Sequence, residues 1–194
     1  MKKRIIAITL LLTLVGVNAQ TFNTRFDSKN HPKAKGAWVV VKYPSVWQAR
    51  EAERPNIVQK FTGDYKDVYT VLMLQVMDMK TPVENDCKNT KSNEWAQFYE
   101  DKSAGIFVEN VKVITHENKP GAIFEIHQKL ERAGSSVFVS NKAMTVCSGK
   151  NMITVWCGSG NVDAKTKQSQ KINLQKIEPM CAQFFNSLVL MDNY

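Results

Sequence analysis

Residues 68–77 read Val-Tyr-Thr-Val-Leu-Met-Leu-Gln-Val-Met, apolar at most positions and about one strand long. A strand that is apolar on both sides must be covered on both faces. This stretch is therefore expected at the centre of a sheet, with helices or loops above and below. Upstream, residues 36–43 (Gly-Ala-Trp-Val-Val-Val-Lys-Tyr) predict a strand that Pro44 ends, because proline has no N–H for a ladder. Ser45-Val46-Trp47 is expected in a turn, 48–55 in a charged exposed loop, and 56–61 in a second strand before the turn signal Gly63-Asp64.

After the central strand the pattern changes. Residues 81–91 read as a polar loop carrying Cys87. Residues 93–104 predict a helix, with Ser92 as its cap, Glu94 in its first turn and Gly105 as its stop. Trp95, Phe98 and Tyr99 recur at three and four residues and mark its buried stripe. Strands at 107–117 and 122–130 flank Asn118-Lys119-Pro120-Gly121, with Pro120-Gly121 expected at the centre of the turn. Strands at 135–147 and 152–158 flank Ser148-Gly149-Lys150-Asn151. A lysine-rich connection then leads to a terminal helix beginning near Ile177, so that Pro179 falls in its first turn. Ile177, Cys181, Phe184, Phe185 and Leu188 share one face of it. The predicted class is α+β: an antiparallel sheet of about six to seven strands flanked by helices as an α/β/α sandwich.

The start of the chain is expected to lie outside this fold. Lys2, Lys3 and Arg4 precede an apolar run of thirteen residues, 5–17, and Val17-Asn18-Ala19 has small or modest side chains ahead of Gln20. That is the layout of an export signal over residues 1–19, too short for the ~20 residues that span a bilayer. Residues 20–35 are polar and basic without a period, and read as a mobile N-terminal arm. A single domain then covers 36–191. The expected product is exported, periplasmic or extracellular, with no membrane-spanning segment. Losing residues 1–19 removes three basic side chains and lowers the net charge from +8 to +5. That modest excess in an exported chain points to a solvated basic surface rather than to nucleic acid.

Four cysteines, Cys87, Cys147, Cys157 and Cys181, suggest two disulfides with three possible connectivities. If 148 faces 151 across the last hairpin, Cys147 and Cys157 point to opposite faces and cannot pair with each other. Each then pairs with Cys87 or Cys181, one bridge per face.

A strand ending in Tyr43-Pro44-x-x-Trp47, two more strands, a helix, four antiparallel strands and a terminal helix resembles the PsbP-like superfamily over about residues 36–191. Its members include secreted bacterial proteins of the DcrB type. This chain carries Val46 where that family often has glycine. The resemblance implies a compact accessory or binding module, usually without catalysis, and assigns no functional residue. The superfamily also contains periplasmic immunity proteins that bind toxic effectors.

Candidate chemistry is sparse. With Pro120-Gly121 central to its turn, His116 would face Glu125, and His127 would lie diagonally on the same side. Two imidazoles and a carboxylate would suit a divalent metal with an open position. The plainer reading is a solvent-facing cross-strand His–Glu pair. Gly158-Ser159-Gly160 lacks the glycine spacing of a nucleophile elbow and reads as a turn. Glu51 and Glu53 sit in a charged loop. No catalytic residue and no cofactor is indicated. Trp47, Arg50 and Arg54, in and beside the 48–55 loop, are the candidate recognition surface for a protein or cell-envelope ligand. The alternative for Trp47 is a plug at one end of the sheet.

Overall fold

The computed structural model describes residues 21–132, 135–160 and 166–193; the export signal expected at 1–19 lies outside them. Its strands are β1 (Thr24–Asp27), β2 (Val39–Tyr43), β3 (Gln48–Arg50), β4 (Ile57–Tyr65), β5 (Val68–Asp78), β6 (Ile106–His116), β7 (Lys119–Arg132), β8 (Ser135–Ser148), β9 (Asn151–Ser159) and β10 (Val189–Leu190). The helices are α1 (Glu84–Asn89), α2 (Ser92–Tyr99) and α3 (Lys167–Asn186). The architecture is mainly β with some helices. A seven-stranded antiparallel sheet has the order β3-β4-β5-β9-β8-β7-β6, and a second sheet has the order β1-β2-β10.

β5 is interior to the large sheet, as its composition predicts. Its two sides are not equally covered, however. Val68, Thr70, Leu72, Leu74 and Val76 are buried on one face, whereas Tyr69, Val71, Met73, Gln75 and Met77 are exposed or half-buried on the other. The buried face meets α3 and the small sheet. There Phe61 stacks on Tyr43 with centroids 4.2 Å apart and meets Phe184 edge-on at 6.1 Å, which joins β4, β2 and α3 in one core. On the opposite face, α1 and α2 cover only one end. Trp95, Val83 and Cys87 lie there against Ala122, Phe124, Ala143, Cys147 and Met152. The expected helix-flanked sandwich is therefore not fully formed, because the helical cover on the second face consists of one helix of 6 residues and one of 8.

The disulfides follow the one-bridge-per-face geometry. Ser148 pairs with Asn151, so Cys147 and Cys157 point oppositely. Cys147 is bonded to Cys87 on α1, and Cys157 to Cys181 on α3.

Several local expectations are corrected. The stretch expected as an arm carries β1, which pairs with β2, and a 3-10 turn, Pro32–Ala34, whose Ala34 is buried. Its apolar residues are too few to show a period, but Phe26 packs on Phe61 with centroids 5.9 Å apart. The strand expected at 36–43 is β2 of the small sheet, beginning only at Val39. Gly63 is not a turn: β4 runs through it, because the Trp47 ring occupies the space a Cβ would need. The reversal comes at Lys66-Asp67, both at positive φ. Residues 81–91 contain α1. In α2 the cap is Lys91 rather than Ser92, and Phe98 is 52% exposed while Trp95 is buried. α3 begins ten residues before Ile177, capped by Thr166, whose Oγ1 accepts from the Ser169 amide at 3.1 Å. Pro179 is thus interior to α3; the cost of a missing helix bond is offset by a buried stripe running from Leu174 to Phe185 and by the Cys181 bridge.

Candidate functional site

The half of the large sheet left bare by α1 and α2 forms an open trough. Register builds its floor. Arg50 of β3 lies opposite Lys60 of β4, Lys60 opposite Met73 of β5, and Met73 opposite Trp156 of β9. These four residues share one face because partners across an antiparallel ladder project to the same side. The Trp156 indole N–H donates to Gln75 Oε1 at 2.7 Å, which ties β9 to β5 on this face.

One wall is the 51–56 loop between β3 and β4, with Arg50, Glu51, Ala52, Glu53 and Arg54 along it. The other wall is the β7–β8 hairpin, which contributes Gln128, Leu130 and Val139. The volume between them is about 470 Å³ and opens to solvent along its length. A neighbouring hollow of about 230 Å³ shares Arg54, Ile57, Met73 and Gln128 with it and extends to Ile126, Asn141 and Trp156.

The loop wall is held from below by the stretch expected as an arm. Lys33 Nζ donates to the Ala52 carbonyl and pairs with Glu51 at 3.0 Å. That pairing holds the exposed Glu51 carboxyl below its ordinary pKa. The far end is anchored by Val76 N–H, which donates to the Asn56 carbonyl at 3.0 Å. Among the described residues Arg50, Arg54 and Lys60 make no ion pair; Arg50 donates only to the Gln48 side chain. The wall and the floor beside it therefore keep three cationic groups without an ion pair among the described residues, while one of the wall's two carboxylates is occupied.

Arg50 and Arg54, two of the three residues expected at a recognition surface, line the trough. Trp47 does not: it is 5% exposed, packed over Gly63 in the main core, and plugs the sheet end. Lys60, Met73, Leu130 and Val139 were missed. The available signal is the apolar second face of 68–77, which the sequence reading places under helices or loops.

The metal candidates separate. The β6–β7 turn is Glu117-Asn118, both at positive φ, so His116 faces Lys119 and Glu125 faces Glu109. Asparagine accepts this conformation readily, which is why the turn forms there and not at Pro120-Gly121. Pro120 loses nothing in β7 because pairing to β8 starts only at Gly121. His116 Nε2–H donates instead to the Leu188 carbonyl at 2.9 Å, tying the hairpin tip to the C-terminal segment.

His127 lies under α3, only 2% exposed, with Nδ1 2.7 Å from Ser140 Oγ. Its Nε2 has no hydrogen bond and lies 3.6 Å from Glu109 and 3.9 Å from Glu125. Glu109 is committed to α3 through Lys167 and through Lys171 at 2.6 Å, and these hydrogen bonds depress its pKa to about 2. Burial lowers the imidazole pKa, chiefly against the pull of Glu109. The arrangement is an electrostatic fastener between sheet and helix. Among the described residues no group of three or more His, Cys, Asp or Glu side chains is placed to hold a metal ion. Ser140 is fully buried, so its contact with His127 offers no accessible nucleophile.

No family model matches the chain, and no curated protein matches it. Two disulfides fit an exported protein, and among the described residues no helix is long and apolar enough to cross a membrane.

Proposed function

We propose that this chain is an exported, PsbP-like accessory module that binds a macromolecular partner, a protein or cell-envelope component, through the open half of its large sheet. One observation carries the reading. The trough is built from the sheet's own register, is floored and walled by Met73, Ile57, Leu130 and Val139, and bears Arg50, Arg54 and Lys60 without partners among the described residues. Small-molecule sites bury most of their ligand. This trough is open along one side and covers only one side of an occupant, which suits a large partner better than a free small molecule.

The order of strands and helices between residues 36 and 191 and the two disulfides support the PsbP-like and exported parts of the reading. An immunity-type inhibitor is one form that such a module takes. The test is affinity capture from envelope extract of the producing cell, with the mature chain and its Met73→Glu variant as baits. A partner retained by the first and lost by the second, at matched circular dichroism, is the expected result. Equal capture by both overturns the reading.

A further inference from the structure

We infer that the occupant of the trough is an acidic segment of a protein, with carboxylates for Arg50, Arg54 and Lys60 and an apolar side chain for the Met73–Leu130–Val139 hollow. This rests on the binding reading above and narrows its partner. Each part of the inference has its own observation.

The first is charge. The loop wall and the floor beside it carry Arg50, Arg54 and Lys60, none of them in an ion pair among the described residues. Of the two acidic side chains there, Glu51 is turned to Lys33 at 3.0 Å. Glu53 is left alone against three cations. An approaching carboxylate therefore meets a cationic field, and a basic segment is repelled. Arginine also offers a planar fork that fits a carboxylate in two bonds.

The second is shape. Arg50, Lys60, Met73 and Trp156 stand in one row across four neighbouring strands, at ~4.8 Å per strand. The cationic end of that row is continuous with an apolar end. A segment lying along it presents carboxylates at one end and an apolar side chain at the other. An anionic membrane surface meets the first demand but supplies no side chain for the hollow.

The third is rigidity. Lys33 fastens the loop from below and Asn56 fastens its end to β5, so the wall is set before a partner arrives. A preformed wall reduces the ordering cost of binding.

The test uses the isotopically labelled mature chain. Its probes are a pool of eight-residue peptides alternating Asp or Glu with Leu, Val or Phe, a matched pool with Lys in the acidic positions, and vesicles of phosphatidylglycerol and phosphatidylcholine. Amide shifts at 50–60, 73 and 128–139 with the acidic pool, absent with the lysine pool, are expected. The triple variant Arg50→Glu, Lys60→Glu, Arg54→Glu should weaken that response about tenfold or more, and raising salt should weaken it in the wild type. The matching triple glutamine variant should fall between.

Equal response to both pools, no response to the acidic pool, or binding to vesicles alone each overturns the inference. The two readings fail separately. If a partner is captured through Met73 yet survives the charge reversal, the binding face stands and its acidic specificity does not. If nothing is captured through Met73, the face itself fails.

Discussion

The two faces of the large sheet have opposite characters. Under α3 the sheet is closed by a 20-residue helix, a disulfide to its C-terminal half, an aromatic cluster and a set of buried aliphatics. On the other side a second disulfide and two short helices close one end and leave the rest bare. One face carries stability. On the other, α1 and α2 cover a smaller cluster and leave half-buried apolar side chains of β5 beyond their reach. The same strand, β5, contributes to both, so the difference comes from what each helix layer can reach.

The comparison breaks first at the core. Phe184→Ala, under α3, should cost about 3–5 kcal/mol in chemical denaturation, because it removes a large ring from a closed site. Replacing the Cys157–Cys181 pair by alanines should cost somewhat less, about 2–4 kcal/mol, with the Cys87–Cys147 pair in the same range. If Phe184→Ala cost under 1 kcal/mol, the closed face would not be the seat of stability.

A smaller effect is expected with pH. His127 is buried under α3 with its pKa lowered, so the unfolded chain binds its proton more readily. The stability it contributes is complete above about 6.5 and is lost as pH falls from there toward the folded value. Glu109 acts in a separate window: stability present above 4.5 is lost as pH falls toward about 2, when the carboxylate held by Lys167 and Lys171 takes a proton. Unfolding midpoints measured across pH should therefore drop in two stages. His127→Gln should remove only the upper one; an unchanged upper stage would contradict the assignment.

The smallest effects belong to the open face. Arg50→Ala and Arg54→Ala should each shift stability by no more than about 0.5 kcal/mol, since neither is buried or paired with a carboxylate. A loss above 1.5 kcal/mol from either would mean that the loop wall is part of the core.

The same division explains what could be read from the chain beforehand. The positions of β5, β7 and β9 were legible as apolar and branched runs bounded by turn residues, although β5 alternates in burial where both faces were expected to be covered, and β9 is buried along nearly its whole length. The helical stripe was legible from Ile177 to Phe185 because burial on one face imposes it, whereas Leu188, expected on it, is buried beyond the end of α3 at Asn186. The disulfide pairing was half legible: parity excluded Cys147–Cys157, but only the three-dimensional path assigned Cys87 and Cys181.

Reversals were misread where a strong local signal met a stronger tertiary one. Gly63 serves Trp47 instead of turning, Pro179 sits inside a helix held by its neighbours, and Pro120-Gly121 gives way to Glu117-Asn118. That last shift also dissolved the expected His116–Glu125–His127 group, since moving the turn moves every partner on the hairpin. Of the candidate site, only Arg50 and Arg54 were legible. Its floor comes from strands distant in sequence, and its fastening comes from Lys33, in a stretch with no period to notice.

The most direct measurement places a photo-crosslinking phenylalanine at Met73, on the trough floor, and separately at Ile172, exposed on α3. Irradiation in the producing cell should give a discrete adduct from position 73 and none from position 172. Adducts of equal yield from both positions, or none from position 73, would contradict the assignment of the open face as the binding face.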